Sequence, residues 1–394
     1  MKVLILGAAG IQGSATAYDL ITREPSAQVV LAEPDADALT ETLNWLDSDR
    51  ASAISLDASD VDAIVDCIKS EGCDIIISSV PWPIAIPPLE AALDAKVHFI
   101  DYGLYQNRTF DDAWSHYCQR AEAAGITVIP SCGLAPGLTN LLAARGAYQL
   151  DETHRIRIYV GGLPEKPEPP LGYKAVWSLE GVWTQFFETC RVIRNGGIVE
   201  TEAVTERETL DFTAVGSLEA ALTDGLGTLL QMFHDPLFSG IQDAFEKSLR
   251  HEGHYDKVLT LKDCGLLDTE PIEINGIFLP PRQFLTALLG PKLTLGDDER
   301  DMTVLRVVVE GQKNKEEKTH IFEVVDYKDL TSGVLSMGRT TGFTGALLAP
   351  MVHNGIIHQT GMVTPEHLGA EPRLFDEMIT AYSARGINVK IREV

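Results

Sequence analysis

Three glycines near the start of the chain have the spacing of a site for the pyrophosphate of a dinucleotide. They follow the apolar run 3–6 directly and stand at Gly7, Gly10 and Gly13. Glycine here permits a tight turn, close approach of the backbone to phosphate, and close packing of the next helix on the strand. The first N–H groups of that helix favour an anion. The pattern predicts a set of cofactor-binding residues: Gly7, Ala9, Gly10, Ile11, Gln12 and Gly13.

A carboxylate follows the glycines at the distance expected for a residue that binds ribose. The second predicted strand, 28–32, ends at Glu33, about twenty residues beyond the last glycine. A carboxylate would repel a 2′-phosphate, and Pro34 and Asp35 supply no base. We therefore predict NAD as the cofactor. NADP stays an alternative, because Ala9 stands where the commonest fingerprint has its second glycine. The other interpretation is a βαβ unit that binds nothing or binds another nucleotide.

The elements that must position these residues alternate between strand and helix. Strands are predicted over 53–56, 74–79, 97–100 and 126–129, and helices over 61–71, 89–95 and 111–124. This alternation is typical of an α/β fold with a Rossmann-type doubly wound parallel sheet. Ligands of such sheets lie at the carboxyl ends of the strands. The remaining cofactor-binding candidates are therefore Asp57, Ser78, Ser79, Val80 and Pro136.

A proline-dense loop, 161–173, separates this pattern from a second, α+β domain. Strands are predicted there over 155–160, 198–205, 257–261, 303–310 and 319–326, and a helix over 342–353. We predict a dinucleotide-binding domain over 1–150 and a domain for substrate and dimerisation over 151–338. The segment 339–394 is expected to pack back on the first domain.

Composition limits the partners of the chain. Its 394 residues include 57 acidic and 32 basic ones, which gives a net charge of -25 and disfavours nucleic acid and anionic membranes. The six cysteines show no paired metal spacing, as is usual in a reducing compartment. The first apolar run imitates a signal peptide but supplies the first strand. We expect a cytoplasmic homodimer or higher homo-oligomer that acts on a small molecule, without nucleic acid, membrane or metal.

Several segments beyond the glycine turn together resemble the saccharopine dehydrogenase family, and within it most closely the lysine 6-dehydrogenase branch. They occur in order along nearly the whole chain: Ile-Asp-Tyr-Gly at 100–103, Cys-Gly-Leu-Ala-Pro-Gly at 132–137 with Asn140, the proline loop, Trp-Ser-Leu-Glu-Gly at 177–181, Arg-His-Glu-Gly-His at 250–254 and Met-Gly-Arg-Thr-Thr at 337–341.

The resemblance implies NAD(P)-dependent oxidation at a carbon that bears nitrogen, with an imine that water opens. Lysine 6-dehydrogenases release the terminal nitrogen of lysine as ammonia, whereas saccharopine dehydrogenases form or cleave a secondary amine. The reductase pattern has Gly-Leu-Asp-Pro-Gly and an Asn-Arg-Asp-Ser run. Here the turn has alanine, and 222–227 reads Leu-Thr-Asp-Gly-Leu-Gly. This favours free lysine or a similar small amine. A saccharopine or opine-like reductase and a non-catalytic NAD-binding sensor or scaffold are the alternatives.

Such a reaction requires a base for the amine and a cation for the substrate carboxylate. His254 titrates near neutrality in ordinary surroundings, and Asp101 and Glu180 are the carboxylate candidates. The alternatives are a structural His254 and an Asp101 that caps a turn. A zinc site at His251 and His254 lacks an evident third ligand.

Arginine suits the substrate carboxylate because its guanidinium forms paired hydrogen bonds. Arg250 and Arg339 are the candidates, although Arg339 could equally pair with an acidic residue of the protein. Aromatic residues are expected to line the aliphatic chain of the substrate. The other predicted substrate-binding residues are Tyr102, Cys132, Gly133, Tyr173 and Trp177.

Overall fold

Two large sheets contain most of the strands, and the computed structural model describes residues 1–186 and 189–394. The strands are β1 (Lys2–Leu6), β2 (Gln28–Glu33), β3 (Ala51–Ser55), β4 (Ile75–Ser78), β5 (His98–Asp101), β6 (Thr127–Ile129), β7 (Glu152–Pro164), β8 (Thr189–Arg194), β9 (Gly197–Glu202), β10 (Glu208–Phe212), β11 (Gly216–Thr223), β12 (Asp243–Arg250), β13 (Ile272–Ile274), β14 (Ile277–Leu279), β15 (Asp301–Lys313), β16 (Glu316–Tyr327), β17 (Gly361–Met362) and β18 (Lys390–Glu393).

The helices lie mainly between the strands of the first sheet and around the second. They are α1 (Ile11–Arg23), α2 (Ala36–Leu46), α3 (Val61–Glu71), α4 (Ile86–Ala95), α5 (Arg108–Asp112), α6 (Trp114–Ala124), α7 (Leu138–Tyr148), α8 (Leu179–Thr184), α9 (His254–Asp263), α10 (Pro281–Leu293), α11 (Ser336–His353), α12 (Pro365–Ala370) and α13 (Pro372–Ser383). Over the described residues, no helix has the length and apolar character needed to cross a membrane.

The first sheet is parallel and doubly wound. Its strand order is β17-β6-β5-β4-β1-β2-β3, so the order reverses between β1 and β4. The central strands β1 and β4 are nearly continuous apolar runs, because helices cover both faces of the sheet. A reversal of strand order opens a crevice at the carboxyl ends of the strands. The predicted Rossmann-type α/β fold is confirmed.

The second sheet is mixed and forms the expected α+β domain. Its main path is β10-β11-β12-β7-β15-β16-β18, and β8 and β9 branch from β12. β12 runs parallel to β7, whereas β15 pairs antiparallel to it over almost its whole length.

One predicted strand is wrong, and one predicted helix is divided into two. The predicted strand 257–261 is part of helix α9, whose buried residues His254, Tyr255 and Val258 lie on one helical face. The predicted helix 111–124 is interrupted at Ala113, between α5 and α6.

The C-terminal segment contacts both sheets. α11 packs on α1, and a Cβ atom at Gly342 would lie 2.6 Å from the carbonyl oxygen of Gln12, so glycine is needed for this close approach. β17 pairs with β6 of the first sheet. β18, in contrast with the expectation for 339–394, pairs with β16 of the second sheet.

Arg339 holds α11 on the second sheet. Its Nε lies 3.0 Å from Oδ2 of Asp326, its Nη2 lies 3.1 Å from Oδ1, and the same Nη2 donates to the carbonyl oxygen of Arg385. Both members of the ion pair are buried. The guanidinium is therefore occupied within the protein, which contradicts its predicted role in binding the substrate carboxylate.

We predict that Arg339→Ala lowers the free energy of unfolding by about 3 to 5 kcal/mol, because it leaves the Asp326 carboxylate buried without its cation. Denaturant unfolding of the wild type and of Arg339→Ala measures the effect. Arg373→Ala, at an exposed position of α13, is the matched control and should stay close to the wild type. Equal stability of the two variants would contradict a structural role for the ion pair.

Candidate functional site

The glycine turn between β1 and α1 has the backbone of a dinucleotide cradle. Gly7 has a φ of +74°, and a Cβ atom there would lie 2.8 Å from the carbonyl oxygen of Ser79. A Cβ atom at Gly13 would lie 2.2 Å from the carbonyl oxygen of Gly7. Gly10 is the N-cap of α1 and offers no side-chain cap, so the first N–H groups of the helix are available to an anion. These residues fit the pyrophosphate of a dinucleotide.

Glu33 lies at the end of β2, beside this turn. Burial raises the pKa of its carboxyl above the usual value, although a hydrogen bond from the backbone N–H of Ala9 acts in the opposite direction. No lysine or arginine occurs in residues 33–37 or 55–60, which follow the two neighbouring strand ends. The position of Glu33 agrees with a residue that binds ribose hydroxyls.

The other predicted cofactor-binding residues include four that line a cavity and two that do not. Ser79, Val80, Gln12 and Pro136 line a cavity in front of the glycine turn. Ser78 is buried behind that cavity, at the end of β4. Asp57 is exposed, and its carboxylate accepts hydrogen bonds from the N–H and the hydroxyl of Ser59, so the structure gives it a role in the local turn.

The cavity lies between the two domains and has a volume of about 270 Å³. The carboxyl ends of the first sheet form one wall, to which Tyr102 and Gly133 also contribute. The second domain forms the opposite wall with α8, β7 and β12. Its lining side chains include Trp177, Glu180, Gln185, Glu246, Ser248 and Arg250. A ligand in this space contacts residues of both domains.

Strand β12 presents a charged face to this cavity. Glu246, Ser248 and Arg250 alternate with Phe245, Lys247 and Leu249, and successive side chains of a strand point to opposite faces. Glu246 and Arg250 are each only 3% exposed, yet among the described residues neither forms an ion pair. A buried charge is normally paired, so both groups retain the capacity to pair with a charged ligand.

Arg250 is the predicted substrate-binding arginine that the structure brings to the cavity. Its Nη2 donates to Oε1 of Gln185 at 3.0 Å and its Nη1 to the carbonyl oxygen of Leu249 at 2.8 Å. Nε has no hydrogen-bond partner in the described structure. The guanidinium also lies 5.0 Å from the ring centroid of Tyr173. The guanidinium is therefore held in place, and its Nε can donate to a further acceptor.

Glu246 is a functional candidate that the sequence interpretation missed. Burial raises the pKa of its carboxyl to about 7, while hydrogen bonds from Thr223 and Ser248 and the charge of Arg250 partly offset this effect. The signal that could have identified it is the alternation of the polar residues at 246, 248 and 250 with Phe245 and Leu249, although Lys247 weakens this pattern.

His254, the predicted base, does not line the cavity. It is 1% exposed, its Nδ1 lies 3.1 Å from the carbonyl oxygen of Leu171, and Nε2 has no partner in the described structure. The rings of Tyr173 and Phe186 pack on it at centroid distances of 5.4 and 5.9 Å. Burial and the charge of Arg250 lower the pKa of His254 to about 3, which makes it a weak base. The structure thus contradicts its predicted catalytic role.

The two predicted carboxylates differ in position. Asp101 is fully buried outside the cavity lining, and its Oδ1 accepts hydrogen bonds from the N–H groups of Gly103, Leu104 and Ser131. Burial raises its pKa to about 6. This geometry caps the turn after β5 and does not support contact with substrate. Glu180 lies at the cavity mouth and is paired with Arg282 at 3.0 Å.

Some of the other predicted substrate-binding residues line the cavity, and others do not. Tyr102, Gly133 and Trp177 line it, whereas Cys132 and Tyr173 are buried behind the lining. The hydroxyl of Tyr102 lies 2.9 Å from Oγ1 of Thr16 and donates to the carbonyl oxygen of Gly342, so this ring is fixed between α1 and α11.

Metal-ligating side chains do not converge here. The part of the chain that the structure describes contains no group of three His, Cys, Asp or Glu residues that could hold a metal ion. His251 and His254 instead contact the carbonyl oxygens of Pro164 and Leu171.

The parallel sheet with its glycine turn, closed by a second domain over a charged cavity, defines a dinucleotide-dependent oxidoreductase with two domains. Comparison with known families agrees. Residues 3–129 match the model of the saccharopine dehydrogenase NADP binding domain, and residues 133–387 match that of the saccharopine dehydrogenase C-terminal domain. The chain belongs to the saccharopine dehydrogenase family, and its cofactor is NAD(P).

Individual relatives are distant in sequence. Carboxyaminopropylagmatine dehydrogenase of Synechocystis sp. is 22% identical over 95% of this chain and 94% of its own length. Saccharopine dehydrogenase [NADP(+), L-glutamate-forming] of Saccharomyces cerevisiae is 27% identical over 63% of this chain and 55% of its own. The structure of apo saccharopine dehydrogenase (L-Glu forming) from the same yeast has the same fold. Its TM-score is 0.79 at 21% identity, and the match covers 100% of this chain and 99% of that one.

The buried, neutral His254 should make stability depend on pH. Its folded-state pKa of about 3 lies below the usual 6.5, so the unfolded chain takes up a proton first as the pH falls. We expect protonation of this histidine in the unfolded chain to lower the free energy of unfolding by about 2 kcal/mol when the pH falls from about 7.5 to 5.

Denaturant unfolding of the wild type and of His254→Gln at both pH values measures this contribution. The variant should lose less stability on acidification, whereas His358→Gln, at an exposed position, should behave like the wild type. The same pH dependence in all three proteins would contradict the buried neutral state of His254.

Proposed function

We propose that the protein oxidises the terminal carbon–nitrogen bond of a small amino acid, with L-lysine as the first candidate, and uses NAD as the hydride acceptor. A bound oxidised nicotinamide nucleotide supplies the site that accepts the hydride. The residues of the chain bind the amino acid, orient its reacting carbon toward the cofactor side of the cavity and handle the protons of the amine.

One observation carries this proposal. Arg250 is a buried guanidinium without a carboxylate partner among the described residues, and it lines the same cavity as residues next to the glycine turn. A free amino acid supplies the missing carboxylate. Arginine binds it with paired, charge-assisted hydrogen bonds that fix its orientation. Trp177 and Tyr102 then flank the path between Arg250 and the first domain.

A second candidate is a reductase or dehydrogenase of secondary amines, in the manner of saccharopine dehydrogenase. The names of the relatives support it, since they include carboxyaminopropylagmatine dehydrogenase and the carboxynorspermidine synthase of Vibrio cholerae, which is 24% identical over 83% of this chain and 80% of its own length. Lysine is favoured by the region 222–227, which holds Asp224 and contributes no arginine for a second dicarboxylate.

The preference for NAD rests on Glu33. A 2′-phosphate beside this carboxylate would meet a like charge, and neither neighbouring strand end supplies a compensating cation. The matched family model is described as NADP binding, so the proposed preference for NAD rests on the residues of this chain and not on the family.

With L-lysine and NAD, the purified protein should form NADH and ammonia in equal amounts, without an added oxo acid. Absorbance of NADH and an ammonia assay that does not consume NADH measure the two products. Replacement of NAD by NADP should lower kcat/KM at least about tenfold, which corresponds to the repulsion of one phosphate by Glu33, about 1.4 kcal/mol.

The outcomes separate the candidates. Turnover with saccharopine alone would contradict the lysine assignment and support the second candidate. Binding of NADH without turnover of either compound would contradict both and support a non-catalytic sensor.

A further inference from the structure

Glu246 lies at the end of the cavity that faces the first domain. A Cβ atom at Gly225 would lie 2.6 Å from its Oε2, so its carboxylate packs directly on the loop that follows β11. Two residues further, a Cβ atom at Gly227 would lie 2.5 Å from Cβ of Pro136, in the turn after β6. The carboxylate is therefore close to the carboxyl ends of the first sheet, where a dinucleotide binds.

Arg250 lies at the opposite end of the same strand face. Its guanidinium contacts Gln185 and the ring of Tyr173, which both belong to the second domain. It lies four positions after Glu246, so their Cα atoms are about 13 Å apart along β12. Both side chains line one cavity and neither is ion-paired among the described residues, so a short aliphatic molecule with a carboxylate at one end and an ammonium at the other can contact both.

We propose that Glu246 is a catalytic residue that binds the terminal ammonium of the substrate and takes a proton from it. This inference rests on the proposed function, because it assigns the carboxylate of the same amino acid to Arg250. It replaces His254, Asp101 and Glu180 as the base. Of these four residues, Glu246 alone combines a buried position in the cavity lining with the absence of an ion pair in the described structure.

The proton step balances within this pair of groups. One N–H bond of the ammonium breaks and one O–H bond of Glu246 forms, so the carboxylate becomes a carboxylic acid and the amine becomes neutral. No electrons leave the pair in this step. An ammonium nitrogen has no lone pair, whereas the neutral amine can form the C=N bond as its carbon is oxidised. The hydroxyl of Thr223 donates to Oε2 and holds the carboxyl in place.

The groups around Glu246 determine the pKa of its carboxyl. Burial dominates and raises its pKa to about 7, Asp224 acts in the same direction, and Arg250 opposes it. Tyr255 of α9 also lies within electrostatic reach, and Glu180 of α8 lies at the mouth, paired with Arg282. Asp224 is itself paired with Arg191 at 3.0 Å. Below about pH 7 the free protein therefore holds a proton on Glu246, and a bound ammonium displaces it.

Binding of 6-aminohexanoate to the NADH-loaded full chain tests the inference. This probe has the carboxylate and the terminal amine of lysine. Calorimetry at about pH 6.5 in two buffers of different ionisation enthalpy counts the protons released. We expect the wild type to release up to one proton, and Glu246→Gln to release none and to bind about 10- to 100-fold more weakly. With lysine, kcat/KM of the wild type should rise with pH through about 7.

Two further variants control this experiment. Glu246→Asp keeps a carboxylate and should keep the proton release, even if its affinity is reduced. Asp243→Asn removes a carboxylate of the same strand that is paired with Arg194 outside the cavity, and it should bind and release protons like the wild type. Thermal unfolding of each variant checks that it is folded.

The results distinguish this inference from the proposed function. Absence of 6-aminohexanoate binding by the wild type, or equal binding and proton release by Glu246→Gln, would overturn the role of Glu246. The expected binding pattern without oxidation of lysine would retain Glu246 as a site for an ammonium and reject lysine as the substrate. Lysine oxidation that is unchanged in Glu246→Gln would reject Glu246 alone.

Discussion

Two buried charges of opposite sign, held apart on one face of β12, are the constraint around which the cavity is built. A buried ion without a partner costs several kcal/mol, because water no longer solvates it. Each charge is therefore supported by neutral groups: Gln185 and the ring of Tyr173 hold Arg250, and Thr223 holds Glu246. These contacts fix the positions of both groups without an ion pair among the described residues, and the zwitterionic ligand that we propose would complete both pairs.

The rest of the fold brings this strand opposite the cofactor turn. The glycine turn lets the end of β1 approach Ser79, which follows β4, and lets α1 approach the turn itself. α11 packs on α1 through a further glycine contact. Arg191 of β8 joins the domains next to the cavity, because it bonds the carboxylates of Asp224 and Asp111. The wall that carries Glu246 and the wall that receives the cofactor are thereby linked through side chains whose charges are paired.

The sequence predicts the first sheet well because its information is local. Apolar strands, the glycines and Glu33 follow one another in the chain, and their order alone indicates the nucleotide fold. The second domain depends on contacts between distant segments, and β12 was not recognised as a strand, so Glu246 was missed. The side chains of His254 and Arg339 are chemically suited to the roles predicted for them, as a base and as a cation for a carboxylate. Their burial, against aromatic rings and against Asp326 respectively, is decided by tertiary packing that the sequence pattern does not express.

The separation of Glu246 and Arg250 along β12 limits the length of a ligand that contacts both groups, and a series of straight-chain ω-amino acids measures that length. Inhibition constants, or thermal stabilisation in the presence of NADH, are measured from four to eight carbons, with hexanoate and hexylamine as compounds that each lack one charge. We predict one optimum of chain length and a loss of affinity of at least about tenfold when either charge is removed. Affinity that rises steadily with chain length, or equal binding of hexylamine and 6-aminohexanoate, would contradict it.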